Sequence, residues 1–223
     1  MNTATVSAET FYNERYFRNR YRDTDADFGA AANLHYFKPF VGEAMTVVDF
    51  GCSGGWTLSK LDCAEKIGIE INPVARDFAE QNFRITAYES FEPVQGESAD
   101  LVVSNHALEH TLEPARHVSE AFRVLKRGGR AVFVVPCEGV LSSYSDNDPD
   151  QHLYTWSPAN LGNLFRVCGF TVIESKPFLY RFPPKPRRIQ AMLGWRGFHI
   201  ATRLWAYVYW RMMQVRLVAV KPH

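Results

Sequence analysis

From Thr46 onward the chain alternates short apolar runs with amphipathic stretches, and glycine and proline punctuate them. Residues 46–50 (TVVDF) form an apolar run that ends in the cluster Gly51-Cys52-Ser53-Gly54-Gly55, after which Trp56 to Leu61 take helical spacing. This order predicts a strand, a tight turn and a helix. The unit then repeats, with 66–71 (KIGIEI) as a second buried strand and 73–82 (PVARDFAEQN) as a helix carrying Pro73 in its first turn. A shorter strand is expected within 83–88, a fourth over 99–105 (ADLVVSN) and a fifth over 130–136 (RAVFVVP). Between the last two, 113–129 carries a well-patterned helix that Gly128 and Gly129 should stop. Apolar strands alternating with helices predict a mostly parallel α/β sheet covered on both faces.

Past residue 136 the polar stretch 142–156 reads as a loop, and Ser157 as the N-cap of a helix with Pro158 at its first position and Gly169 at its end. Residues 170–175 and 215–222 complete a set of seven strands. The segment between them is too long for a hairpin loop and is expected to be a helical insertion. At the other end, Phe11, Tyr12, Tyr16, Phe17 and Tyr21 stand at mixed helical spacing before an acidic stretch at Asp23, Asp25 and Asp27. That segment is read as helices and a loop forming a lid over the carboxyl edge of the sheet, or merely capping it. A single domain is expected, with the lid over 1–45, a ligand-binding core over 46–175, a basic aromatic insertion over 176–212 and the last strand over 213–221.

With 223 residues, 46% of them apolar, there is material for one sizeable core. The net charge of +1 hides an asymmetry: from Lys176 to the end there are ten Lys and Arg and no acid, which leaves residues 1–175 net acidic. Over 181–211 these cations alternate with Trp, Tyr, Phe, Leu and Met, as in a segment that lies on an anionic membrane surface or grips an amphipathic anionic substrate. An aromatic helical cap with a solvated basic face fits the same pattern. Arg196, His199, Arg203 and Arg211 interrupt any run long enough to span a bilayer. Nucleic acid ranks lower as a partner, because no recognised binding module accompanies the basic residues. The polar N-terminus has no basic region leading into an apolar run, so a cytoplasmic location is expected, peripheral to the inner face of a membrane if the basic segment engages lipid. Cys52, Cys63, Cys137 and Cys168 lack C-x-x-C pairing, which predicts free thiols and no metal site.

The glycine cluster after the first strand allows positive φ and close approach of a ligand, while the next helix should offer free N–H groups and the positive end of its dipole. A nucleoside-type cofactor suits such a place. The dinucleotide fingerprint G-x-G-x-x-G is not matched: counted from Gly51, its second and third glycine positions hold Ser53 and Trp56. This disfavours an NAD-dependent oxidoreductase. Glu70 closes the second strand, about 20 residues beyond Gly51, and is placed to accept hydrogen bonds from ribose hydroxyls; a solvated strand-end acid is the alternative.

These residues, together with 98–136 (SADLVVSNHALEHTLEPARHVSEAFRVLKRGGRAVFVVP), resemble the class I S-adenosyl-L-methionine (SAM)-dependent methyltransferases, which carry D-x-G-x-G-x-G after the first strand. The L-E-H tripeptide at 108–110 and the R-V-L-K-x-G-G run at 123–129 look like one small-molecule branch of that family. The resemblance covers about Thr46 to Ser175 and implies a Rossmann-like, mostly parallel seven-stranded sheet with helices on both faces and an antiparallel last strand. It also implies that Asp49, Gly51, Cys52, Ser53 and Gly55 surround the methionine part of SAM, that Glu70 and Ile71 lie at the ribose, and that Asn105 and His106 pass close to the methionine moiety. Ser53 replaces the family's glycine and fits if the backbone there is not left-handed. The family's Gly-Asp on the adenine side is absent, and Glu89 is the candidate in its place, with Tyr88 beside the purine.

The reaction so implied moves a methyl group to oxygen, or failing that nitrogen or carbon, of a small-molecule, sugar or lipid-linked acceptor, with S-adenosyl-L-homocysteine as product. A hydroxyl acceptor needs a base, for which His106 and His152 are the candidates because imidazole titrates near neutrality. His110 and Glu109 read instead as structural residues of their loop. A nucleic-acid methyltransferase and a non-catalytic SAM-binding protein on the same fold remain the alternatives.

Overall fold

The computed structural model describes residues 23–138, 151–208 and 213–223. The aromatic part of the expected lid, most of the 142–156 loop and Arg211 lie outside the described residues. Helix α1 (Asp23–Phe37) and a 3-10 turn (Lys38–Phe40) lead into β1 (Thr46–Phe50), α2 (Trp56–Ser59), β2 (Glu65–Ile69), α3 (Pro73–Phe83) and β3 (Thr86–Tyr88). There follow β4 (Ala99–Asn105), a second 3-10 turn (Leu108–His110), α4 (Pro114–Val124), β5 (Leu125–Cys137), α5 (Pro158–Val167), β6 (Thr171–Leu179), α6 (Pro186–Val208) and β7 (Met213–Val220).

The seven strands form one sheet in the order β3-β2-β1-β4-β5-β7-β6. All neighbours from β3 to β5 pair in parallel, while β7 runs antiparallel to both β5 and β6. Period-two alternation sorts the core onto two faces. Val48, Phe50, Val102, Phe133 and Leu217 point to the face that α4 and α5 cover with Val118, Ala121, Leu161 and Phe165. Val47, Leu101, Val103, Val132 and Val134 point to the other, which takes Tyr36 and Phe37 of α1, Leu58 of α2 and Ala79 of α3. Both faces being buried explains why β1, β4 and β5 read as continuous apolar runs.

Two expected boundaries are corrected. The helix over 113–129 ends at Val124, not at the glycine pair, because Leu125 is fully buried in extended conformation (φ −68°, ψ 138°) and already pairs with Ala99. The backbone of the next residues bonds across the sheet rather than along a helix: Gly128 N–H donates to the Lys221 carbonyl at 2.8 Å and Lys221 N–H to the Gly129 carbonyl at 2.9 Å. The other correction concerns the insertion, which is shorter than expected. Residues 176–179 extend β6, with Lys176 opposite Arg216 and Leu179 opposite Met213. Arg216 donates to Glu174 across this pair at 2.6 Å.

What remains of the insertion is α6, broken at Gly194 (φ 64°, ψ −179°), a conformation open essentially to glycine alone. Its aromatic residues pack on α1: the Phe28 ring lies 5.6 Å from Trp195 and 5.5 Å from Phe198, and the His35 ring 4.1 Å from that of His199. Burial brings the His35 imidazole down to about 4, so it packs there neutral. Among the described residues no helix is long and apolar enough to cross a membrane.

Phe165 joins α5 to the sheet, its ring 5.0 Å from Phe133 and 5.1 Å from Phe170, with no exposure. Phe165→Ala is expected to cost about 3–5 kcal/mol, read as a lowered midpoint in urea with an unchanged slope. A loss within error of zero would show that α5 is not needed for the core.

Candidate active site

Strand order reverses between β1 and β4, so the connections leaving their carboxyl ends diverge and open a crevice, the usual ligand position in such sheets. A cavity of about 430 Å³ lies there, floored by Asp49, Gly51, Cys52, Ser53 and Asn105 and walled by Trp56 and Thr57 of α2, Asp25, Ala26, Gly29, Ala30 and Asn33 of α1, and Phe182. Its size falls within the range of about 300–1,000 Å³ usual for small-molecule sites.

The turn after β1 is built by contacts inside the chain. Gly51 (φ 76°) passes so close to Ala107 that an added Cβ would lie 2.3 Å from the Ala107 side chain, which leaves glycine as the residue that fits. Gly51 and Cys52 both donate their N–H groups to the Ile69 carbonyl, and Gly55 donates to the Cys52 carbonyl. Ser53 N–H donates to Glu70 Oε2 at 2.9 Å. These four N–H groups of the turn are thus taken inside the chain, and the α2 helix that follows has only four residues. The expectation for Ser53 is corrected: its φ of 49° is left-handed, and the bond to Glu70 holds it there.

Glu70 stands behind the turn rather than on the cavity wall, its second oxygen accepting from Asn72 N–H at 2.9 Å. Asn72 in turn caps α3 by accepting from Val74 N–H at 3.0 Å. Burial pushes the Glu70 carboxyl up, against the downward pull of these N–H bonds. Asp49, on the cavity floor and buried, is raised to about 7 by the same desolvation and by the nearby charge of Glu70. Cys52, buried, is raised as well, by burial and then by Asp49 and Glu70, and its thiol faces Gly68. This donor set suits a cationic nucleoside: the floor is acidic, and the Glu70 carboxylate stands directly behind the turn that Ser53 makes.

The remaining sequence candidates divide. Gly55 packs against Ile85 and Ala79 outside the cavity, Ile71 is exposed, and Glu89 is a solvent-exposed acid 3.7 Å from Arg76. His106 follows the cavity residue Asn105, with left-handed φ of 55° and its N–H donated to the Val134 carbonyl. His152 lies next to His110, ring centroids 4.9 Å apart, with Nδ1 2.7 Å from Glu138 Oε1. Burial holds the His110 imidazole below its ordinary value. Sequence reasoning did not single out Asp25, Asn33 and Phe182 as cavity residues, since α1 and the β6–α6 connection reach the site through tertiary packing.

The family described as methyltransferase domain matches residues 18–175. The chain belongs to that family and is a class I SAM-dependent methyltransferase. Solved structures agree at the level of fold. The methyltransferase in complex with the Haloferax volcanii Trm112 activator is 21% identical at a TM-score of 0.68, covering 97% of this chain and 98% of its own. A SAM-dependent methyltransferase from Thermotoga maritima is 20% identical at 0.68, covering 96% and 100%. Phosphoethanolamine N-methyltransferase 2 of Haemonchus contortus, bound to phosphomonomethylethanolamine and S-adenosylhomocysteine, is 18% identical at 0.65, covering 98% of this chain and 61% of its own. A search of the curated proteins finds no match.

The Asp49 carboxyl has a consequence for stability. Its folded value of about 7 lies above the 3.8 of an ordinary aspartate, so between the two the folded protein holds a proton that the unfolded chain releases. Stability therefore falls as pH rises through this window. Asp49→Asn should flatten that part of the profile and leave the ligand-free variant more stable than the parent above the window, by up to about 4 kcal/mol. Denaturant midpoints measured across the pH range check this; parallel profiles for the two proteins would refute it.

Proposed function

We propose that this methyltransferase methylates an oxygen of a small-molecule, sugar or lipid-linked acceptor. Bound SAM supplies a methyl carbon activated by its sulfonium. Asp49, Gly51, Cys52, Ser53 and Asn105 are assigned to its methionine part, and Glu70 to its ribose hydroxyls. Gly55, Ile71 and Glu89 are given no contact, because Gly55 packs against Ile85 and Ala79 and the side chains of Ile71 and Glu89 are exposed to solvent. The residues of α1 and Phe182 exclude water from the crevice, which strengthens the pull of the acidic floor on a cation.

The observation that carries an oxygen acceptor is the imidazole of His106 immediately after Asn105. An alcohol must lose its proton as it attacks, whereas a neutral amine brings a free pair, so a positioned imidazole serves a hydroxyl best. His106 is assigned the role of base. His152 is not, since neither it nor a residue beside it in the chain lines the cavity. A lipid-linked acceptor draws support from the groove of about 480 Å³ between β6 and α6, lined by Pro177, Phe178, Leu204, Tyr207 and Met213 together with the cation of Arg203. Arg188 and Arg196 are exposed on the same helix beside exposed Met192, Leu193 and Ile200. That surface also fits the anionic membrane contact anticipated for the basic segment.

Two measurements test the reading. Glu70→Ala should weaken SAM binding by about 1–3 kcal/mol in calorimetry; unchanged affinity removes Glu70 from the ribose. With hydroxyl, amine and lipid-linked acceptors offered side by side, turnover is expected on hydroxyls. His106→Asn should then lower kcat by about 100-fold or more and spare SAM affinity. Turnover on amines alone would overturn the oxygen assignment.

A further inference from the structure

We infer that Glu109, His110 and His152 form a binding site for a divalent first-row transition-metal cation. One ligand atom from each lies within 4.8 Å of the other two. The carboxylate is the strongest indication. Glu109 has no exposed side-chain surface, and neither of its oxygens accepts a hydrogen bond from any described residue. Its near neighbours are imidazole nitrogens, His106 Nδ1 at 3.3 Å and His110 Nε2 at 3.8 Å from Oε1. A buried carboxylate left in this state costs several kcal/mol, and a cation among these donors would remove the cost.

The surroundings of the two histidines match what metal-bound imidazoles require, namely a second ring nitrogen held by a carboxylate or a backbone carbonyl. His152 Nδ1 is held by Glu138 Oε1 at 2.7 Å, which leaves its Nε2 as the ligand atom. His110 hydrogen-bonds the backbone of Gln151. The chain also ties the two halves of the cluster together, because Leu153 N–H and Tyr154 N–H both donate to the Glu109 carbonyl, at 2.9 and 3.2 Å. Ligand atoms around a bound zinc lie about 3.3 Å apart, so closing the site asks for a movement of about an ångström per side chain. Two imidazoles and one carboxylate select Zn²⁺, Co²⁺, Fe²⁺ or Mn²⁺ over Mg²⁺ and Ca²⁺, which prefer oxygen donors.

The sequence reading expected no metal because it sought paired cysteines, whereas these ligands are two adjacent residues and one far along the chain. The cluster adjoins His106, so if the methyl-transfer reading above holds, the cation would lower the pKa of an acceptor hydroxyl. Cation binding itself does not depend on that reading. The test uses the full chain, stripped with a chelator and titrated with Co²⁺ while visible d–d absorption and heat are followed. One saturable equivalent is expected, displaced by Zn²⁺ and not by Mg²⁺. His152→Ala and Glu109→Gln should each weaken Co²⁺ about tenfold or more, His152→Ala with unaltered circular dichroism and SAM affinity. No saturable Co²⁺ uptake by the parent, or affinity unchanged in His152→Ala, overturns the site. SAM binding in the same stripped preparation is read separately, so a failed metal site and a failed methyltransferase reading give different results.

Discussion

The carboxylate of Glu70 is the tie on which the crevice depends. One oxygen takes the N–H of Ser53 and the other that of Asn72, so a single side chain fastens the turn after β1 to the turn after β2. Ser53 is thereby kept in a left-handed conformation that a serine would otherwise leave. Asn72 is kept where it caps α3, and Arg76 of that helix reaches back to the Glu70 carbonyl at 2.6 Å. The tie also has an electrostatic cost. Burial raises both Glu70 and Asp49, and the charge of Glu70 raises Asp49 further, so the turn carries a desolvation cost that a cationic ligand relieves. A floor built in this way favours a sulfonium nucleoside over a pyrophosphate, which would add negative charge to it.

The sheet places that turn. β1 and β4 lie side by side, with Ser104 Oγ donating to the Phe50 carbonyl at 2.9 Å, so the two strands end in step. Asp100 fixes their other ends, accepting from Thr46 N–H at 2.9 Å and from Lys126 at 2.8 Å. The crevice then opens where β2 and β5 lead the chain to opposite sides. Its roof is supplied from outside the repeating units, by α1 and by the segment before α6, which the Phe28 and Phe182 rings join at 5.9 Å.

How much of this could be read in the sequence follows from the range of the interactions. β1, β4 and β5 were legible because burial on both faces demands unbroken apolar runs, and the capped helices α3 and α5 because Asn72-Pro73 and Ser157-Pro158 are local signals. The end of α4 was not, since Leu125 leaves the helix to pair with Ala99, and nothing near Gly128 records that partner. The same holds for the site. Asp49, Gly51, Ser53 and Asn105 sit on strand ends whose order the pattern implied, whereas Asp25, Asn33 and Phe182 reach the cavity through aromatic packing between distant helices. Glu89 was placed by analogy with a Gly-Asp pair the chain lacks, and its exposed side chain has no cavity to line.

The position of Glu109 shows how packing can impose an electrostatic state. Leu108 is fully buried in the main core, and the 3-10 turn it anchors carries the next residue inward with it. His106, left-handed at the end of β4, makes the bend that permits this. Hydrophobic burial of one leucine contributes about 1.5–3 kcal/mol, comparable to or smaller than the cost of burying a carboxylate that accepts no hydrogen bond. The turn is therefore poorly explained by packing alone. It becomes favourable when the charge of Glu109 is compensated, and the imidazoles of His106 and His110, 3.3 and 3.8 Å from its Oε1, mark where that compensation has to come from.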